Sequence, residues 1–171
     1  MAEFIQKHKL FSFYSALMIA VVLIAIFAPW LAPGDAFSSN LSQALQAPSS
    51  QHWFGTDKLG RDVLSRIIYG TQLSLFMGVS IVVIMVSIGT IIGAVAGYFG
   101  GKIEMVLMRL ADIMLSFPGV VLAIAIAGIL GGSIVNTIIA LSVVGWAKYA
   151  RLVRSMTLKV RGEEYVTAAV M

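Results

Sequence analysis

Few residues in this chain could bind or transform a ligand. There is no cysteine, and the two histidines, His8 and His52, lie far apart. The sequence therefore holds no ligand cluster of zinc- or haem-site spacing. Gly100-Gly101-Lys102 comes nearest to a phosphate loop, but it lacks the upstream glycine and the following Ser or Thr. The nine methionines are scattered, which reads as flexible apolar packing rather than copper handling. No catalytic residue, metal or bound cofactor is expected, and both histidines read as interfacial side chains. What remains is Asp112, with Arg109 three residues before it on the same helical face, then Asn136 and the hydroxyls of Ser133 and Ser142. An ionisable group inside a membrane marks a proton or ion relay by default. Asp112 and Arg109 read as a self-paired couple near the interface. The alternative is an ATP-independent channel or proton-coupled transporter that uses Asp112 and Asn136.

The elements that must position these groups are set by composition. Of 171 residues, 59% are hydrophobic and only 12% are charged, and mean hydropathy is +0.94. Soluble domains carry about 25% charged residues, so a soluble enzyme and a disordered tail are both excluded. The net charge is +4, but the basic residues flank apolar runs rather than forming a patch interleaved with aromatics. They serve as membrane topology signals, and no nucleic-acid partner is expected.

A helix needs about 20 apolar residues to cross a bilayer, and four spans are expected, over 10–31, 73–99, 105–130 and 133–150. Pro29 and Trp30 mark the far end of the first. Residues 33–72 read as an external loop, polar from Pro33 to Gln51, then mixed in charge. Within it Leu59, Val63 and Ile67 recur at helical spacing, predicting a surface helix capped by Thr56 or Asp57. Pro118-Gly119 should kink the third span. Trp146, Lys148 and Tyr149 form an interfacial group ending the fourth. In the second span Gly89, Gly93 and Gly97 share one face, where a helix can approach closely. That helix belongs either to a partner subunit or to this chain.

With four spans the termini share a side. Lys7, Lys9, Lys102, Arg109, Lys148, Arg151, Arg154, Lys159 and Arg161 lie there, against Lys58, Arg61 and Arg66 on the other. Nine basic residues against three put both termini in the cytoplasm. The tail from Arg151 to Arg161 is basic and amphipathic. Glu163 and Glu164 then open a short segment with the paired alanines Ala168 and Ala169, a smooth face for docking into a cleft.

Two segments carry a resemblance. Gly55-Thr56-Asp57-Lys58-Leu59-Gly60-Arg61-Asp62-Val63-Leu64-Ser65-Arg66, and Trp146 to Arg154 followed by Glu164-Tyr165-Val166-Thr167-Ala168-Ala169, resemble the peptide/nickel group of ABC importer permeases, and specifically the second of its two paired subunits. The resemblance covers essentially the whole chain. It implies an all-α polytopic helical bundle, the transmembrane domain of a type I ABC importer, with about four of six spans present, so that the sequence reads as C-terminally truncated. It further implies a second permease subunit in a heteromeric pore, two cytoplasmic ATPase subunits that hold the ATP-Mg, an external solute-binding protein, and residence in the inner membrane of a prokaryote. Glu164, Tyr165, Ala168 and Ala169 would lie in the EAA coupling helix that docks on the ATPase. The implied cargo is nickel, as a chelate, or small peptides, and the stretch from Gly145 to Met156 looks closer to nickel-type members.

Overall fold

The computed structural model describes residues 9–163 and 166. Among them regular structure is helical: α1 (Lys9–Ile26), α2 (Ala28–Leu31), α3 (Val63–Phe99), α4 (Gly101–Ser116), α5 (Gly119–Leu130) and α6 (Ile134–Arg161), with a 3-10 turn at Leu41–Gln43. The chain divides into two units, Met1–Phe76 and Met77–Met171, and α3 runs through the boundary as one helix.

In the first unit α1 is apolar on every side and buries only Ala25. A helix hydrophobic all round whose large apolar side chains stay exposed is solvated by lipid. The expected first span to Leu31 stops at Ile26, because Phe27 breaks the helix and α2 restarts with Pro29 in its first turn. A proline is at home there, since the first-turn N–H groups have no intrahelical partner. The loop, expected to be external, then ends at Asp62, ten residues earlier than the expected boundary at 72. The surface helix and second span expected as separate pieces form a single 37-residue α3. Tyr69-Gly70-Thr71-Gln72 does not interrupt it, and the Thr71 hydroxyl finds its partner within the helix by donating to the Ile67 carbonyl at 2.9 Å.

The second unit is organised by α6, which packs on both α4 and α5 and buries Ile138, Ala140, Ser142, Ala147 and Ala150. Its contact with α3 is closer still. A Cβ on Gly89 would lie 2.5 Å from Tyr149 Cβ and 2.9 Å from the Trp146 carbonyl oxygen. On Gly93 it would lie 2.8 Å from Val153 Cβ, and on Gly97 2.7 Å from Thr157 Cβ. The helices run parallel, their registers advancing together over two turns. A Cβ on Gly145 of α6 would likewise run into the side chain of Met85 on α3.

α4 and α5 together are apolar and long enough for one crossing but bend by 91° at their junction. Pro118 lacks the N–H to continue α4, and Phe117 before it is extended. α1 and α3 are each long and apolar enough to cross a membrane. α6, expected to cross over 133–150, does not meet that measure as α1 and α3 do. Its apolar first half is followed by Lys148, Arg151 and Arg154 within the same helix. The helix does not end at Ala150: residues 151–161 continue α6.

The seam gives a direct prediction. Gly93→Leu should destabilise the folded protein by about 1–3 kcal/mol or more, as overpacking against backbone does. Gly78→Leu, whose position has nothing within 4 Å, should be neutral. Thermal unfolding in detergent with equal midpoints for the two variants would show that the seam is not tight.

Candidate functional site

Two clusters of polar groups stand out, one in each unit. The first is built by the segment from Gly55 to Arg66. Asp62 is buried, with 2% of its surface exposed, and caps α3. Its Oδ2 accepts from the Ser65 N–H at 2.8 Å and the Ser65 hydroxyl at 2.7 Å, while His52 Nδ1 donates to its Oδ1 at 3.0 Å. The Ser65 Oγ in turn accepts from the Gly34 N–H at 2.9 Å. The cap is therefore Asp62, not Thr56 or Asp57, and His52 is a part-buried partner of that cap. Burial would push the Asp62 carboxyl up, but the bonds from Ser65 and His52 outweigh it and hold the pKa below the usual value.

Asp57 organises the turn that precedes the cap. Its carboxylate accepts from the backbone N–H groups of Leu59 (2.8 Å) and Arg61 (3.0 Å), from Arg61 Nε at 2.9 Å, and from Arg66. The Arg61 N–H leads the causes that hold this carboxyl well below the carboxylate range, against an opposing push from burial. Thr56 donates its hydroxyl to the Gln43 carbonyl and accepts from the Gln46 N–H at 2.8 Å, tying the turn to the loop. Gly60 sits at φ 73°, and a side chain there would run into the Asn40 carbonyl. Gly55, at φ 71°, faces the Gln46 carbonyl in the same way. Gly55, Thr56, Asp57, Gly60, Arg61 and Asp62 are thus brought together, each explained by the turn it builds. Asp35 fastens the start of the loop, its pKa lowered to about 2 chiefly by the Ser38 hydroxyl, then by the N–H groups of Phe37 and Ser38.

The second cluster lies between α4 and α6. Arg154 Nε donates to Glu104 Oε1 at 2.6 Å, and Arg151 pairs with Asp112. The two bridges edge a cleft of about 520 Å³, with Arg109 also on its wall. Asp112 therefore pairs across to α6, not with Arg109 on its own helix. Asn136, the other relay candidate, donates its amide to the carbonyls of Leu130 (2.6 Å) and Gly131 (3.0 Å), closing the end of α5. Ser133 caps α6 by accepting from the Asn136 N–H at 3.1 Å. Gly89, Gly93 and Gly97 face α6 of the same chain. Glu164, Tyr165, Ala168 and Ala169 lie outside the described residues. Among the described residues no group of His, Asp and Glu could hold a metal. Glu104 and Ser65 carry no site role in the reading of the sequence. A carboxylate eight residues before Asp112, so nearly on one helical face, was the signal for Glu104, and the three-residue spacing from Asp62 was the signal for Ser65.

Residues 89–171 match the family described as the binding-protein-dependent transport system inner membrane component. Residues 5–48 match the N-terminal transmembrane domain of oligopeptide transport permease C. The chain belongs to this permease family. A dipeptide transport system permease of Alkalihalophilus pseudofirmus is 45% identical over 96% of this chain and 54% of its own length. An oligopeptide transport system permease of Bacillus subtilis is 37% identical over 96% of this chain and 54% of its own. A nickel transport system permease of Escherichia coli is 38% identical over 87% of this chain and 54% of its own. The chain spans about half the length of these relatives. Both family matches agree with the all-α membrane fold, and each lies within one unit: the first ends in the loop after α2, and the second starts at the glycine seam.

Two outcomes follow for the loop. Asp62→Ala removes the cap and strands His52 and Ser65, so the loop and first turn of α3 should lose about 1–3 kcal/mol, read as faster amide exchange over residues 52–66. Unchanged exchange would contradict the network. Asp35, Asp57 and Asp62 all have lowered folded-state values, so their contribution is complete above the unfolded value near 3.8 and is lost as pH falls through the lowered ones. Emission of Trp53, in a variant with Trp30 and Trp146 changed to Phe, should stay flat from neutral pH to about 4 and change between about 4 and 2. A transition centred above pH 5 would contradict the assignment.

Proposed function

We propose that the whole protein is the membrane-spanning permease subunit of an ATP-driven, binding-protein-dependent importer. One observation carries the reading beyond family membership. α6 runs unbroken from the buried core of the second unit to Arg161, three residues short of Glu164, where the coupling segment begins. It is fixed to α3 by backbone-close packing and to α4 by the pairs Glu104–Arg154 and Asp112–Arg151. A force applied at the coupling segment thereby reaches the elbow at Pro118 through a helix, with no flexible joint along 134–161.

On this reading a second permease subunit completes the pore, and two cytoplasmic ATPase subunits carry the ATP-Mg. An external solute-binding protein delivers the cargo. The N-terminus is cytoplasmic, and the loop with the Asp57 and Asp62 networks faces outward, where a rigid turn suits contact with a delivering protein. The cargo is a small peptide or a nickel chelate. The resemblance leaned toward nickel, but the dipeptide relative shares more identity than the nickel one, which gives that leaning no support. Asp112 and Asn136, the two residues of the relay alternative, are both engaged in bonds between helices, which supports the importer reading over it.

The test uses the full-length protein with its partners. Glu164→Lys and Ala168→Asp should each reduce co-purification with the ATPase subunits and ATP-driven uptake by about tenfold or more, as loss of a central interface contact does. Normal ATPase binding together with normal uptake in both variants would refute the coupling role.

A further inference from the structure

The glycine seam fixes how deep the charges of α6 lie. Gly89 faces the backbone between Trp146 and Ala150, so Lys148 is level with Gly89, ten residues before the last residue of α3, Phe99. At 1.5 Å per residue that is about 15 Å from the end of α3. The hydrocarbon core is about 30 Å thick. The apolar run of α3 from Leu73 to Phe99 is centred on Val86, one turn from the level of Gly89, so Lys148 lies beside the middle of the run rather than at its end.

The three cations of α6 nearest this level differ in one respect. Arg154 is paired with Glu104 and Arg151 with Asp112. Among the described residues Lys148 has no carboxylate partner. It borders a cavity of about 550 Å³ enclosed by Met85 of α3, Phe117 and Val120 at the elbow, and Leu141 and Val144 of α6. Lys148 is the one charged group among the residues lining it. A charge at this depth is costly to keep unless it faces an aqueous path or a partner, and an ammonium has only donors to offer.

We infer that Lys148 lines the cargo path and contacts a carboxylate of the passing cargo, making it a specificity-determining residue for anionic substrates. The inference rests on the importer reading and deepens it. A dipeptide carries such a carboxylate, and so does nickel held by a carboxylate chelator, whereas a bare divalent cation would be repelled. The two paired arginines hold α4 against α6. The third cation is left for the substrate.

Two measurements on the assembled transporter in sealed vesicles decide it. Lys148→Cys introduces the only cysteine in these 171 residues. In an otherwise cysteine-free transporter, its thiol should react with a charged thiosulfonate reagent in at least one nucleotide state. A thiol unreactive in every state would overturn the placement, and this arm requires no cargo. In the second, ATP-driven uptake of dialanine is compared with that of its C-terminal amide. The preference for the free acid should fall about tenfold in Lys148→Gln, the loss of one charge-assisted hydrogen bond, and persist in Lys148→Arg. Discrimination by the binding protein cancels when the two ratios are compared. A preference unchanged in the Gln variant would overturn the inference even with a reactive thiol. A wild type that moves both compounds without ATP would instead refute the importer reading, leaving the change in ratio to judge Lys148.

Discussion

Backbone-close contact between α3 and α6 is the constraint from which the second unit follows. Three glycines at a spacing of four remove the side chains that would otherwise hold two helices about 8–10 Å apart. Ala147 and Ala150, both fully buried, complete the interface from the other side. In lipid there is no hydrophobic drive between helices, so packing of this kind is what association depends on. The register it imposes brings Arg151 and Arg154 opposite the carboxylates of α4. The same register leaves Lys148 beside the cavity at the elbow.

The first unit depends on a different interaction, the satisfaction of polar groups around two aspartates. Asp62 ends the loop by starting a helix, and Asp57 closes the turn before it on two backbone N–H groups and two guanidiniums. Buried Asp62 and half-buried Asp57 are tolerated because every oxygen has donors. The loop thus has a defined shape without a hydrophobic core, as a segment outside the bilayer between two lipid-facing helices requires. Exposed apolar surface on α1, with Leu10 at 74% and Phe11 at 63%, is the expected state of a helix whose solvent is lipid.

Apolar runs made the membrane character and the two long helices readable from the sequence, and Pro118 announced the elbow. Helix starts were harder. Asp57 and Asp62 are both acceptable caps by type, and only the return of His52 onto Asp62 and of Gly34 onto Ser65 decides between them. The pairing of Asp112 was misread because spacing on one helix says nothing about register with another, and Arg151 lies 39 residues further on. The glycine stripe announced a close neighbour without naming it. The depth of Lys148 was hidden for the same reason, since an apolar run ending in basic residues looks like the end of a span. The turn-forming residues from Gly55 to Arg66 were visible as a motif, but their job emerged only from contacts with residues 34–52.

The central claim is that α3 and α6 form one body that carries motion from the coupling segment into the membrane. Spin labels at Tyr98 on α3 and Met156 on α6, both exposed, report on it directly in the full transporter. The distance between them, measured by pulsed electron resonance, should be the same without nucleotide and with ATP bound to hydrolysis-deficient ATPase subunits. A shift of several ångströms, or a broad distribution in either state, would show that the seam opens and that α6 does not transmit motion as a rigid element.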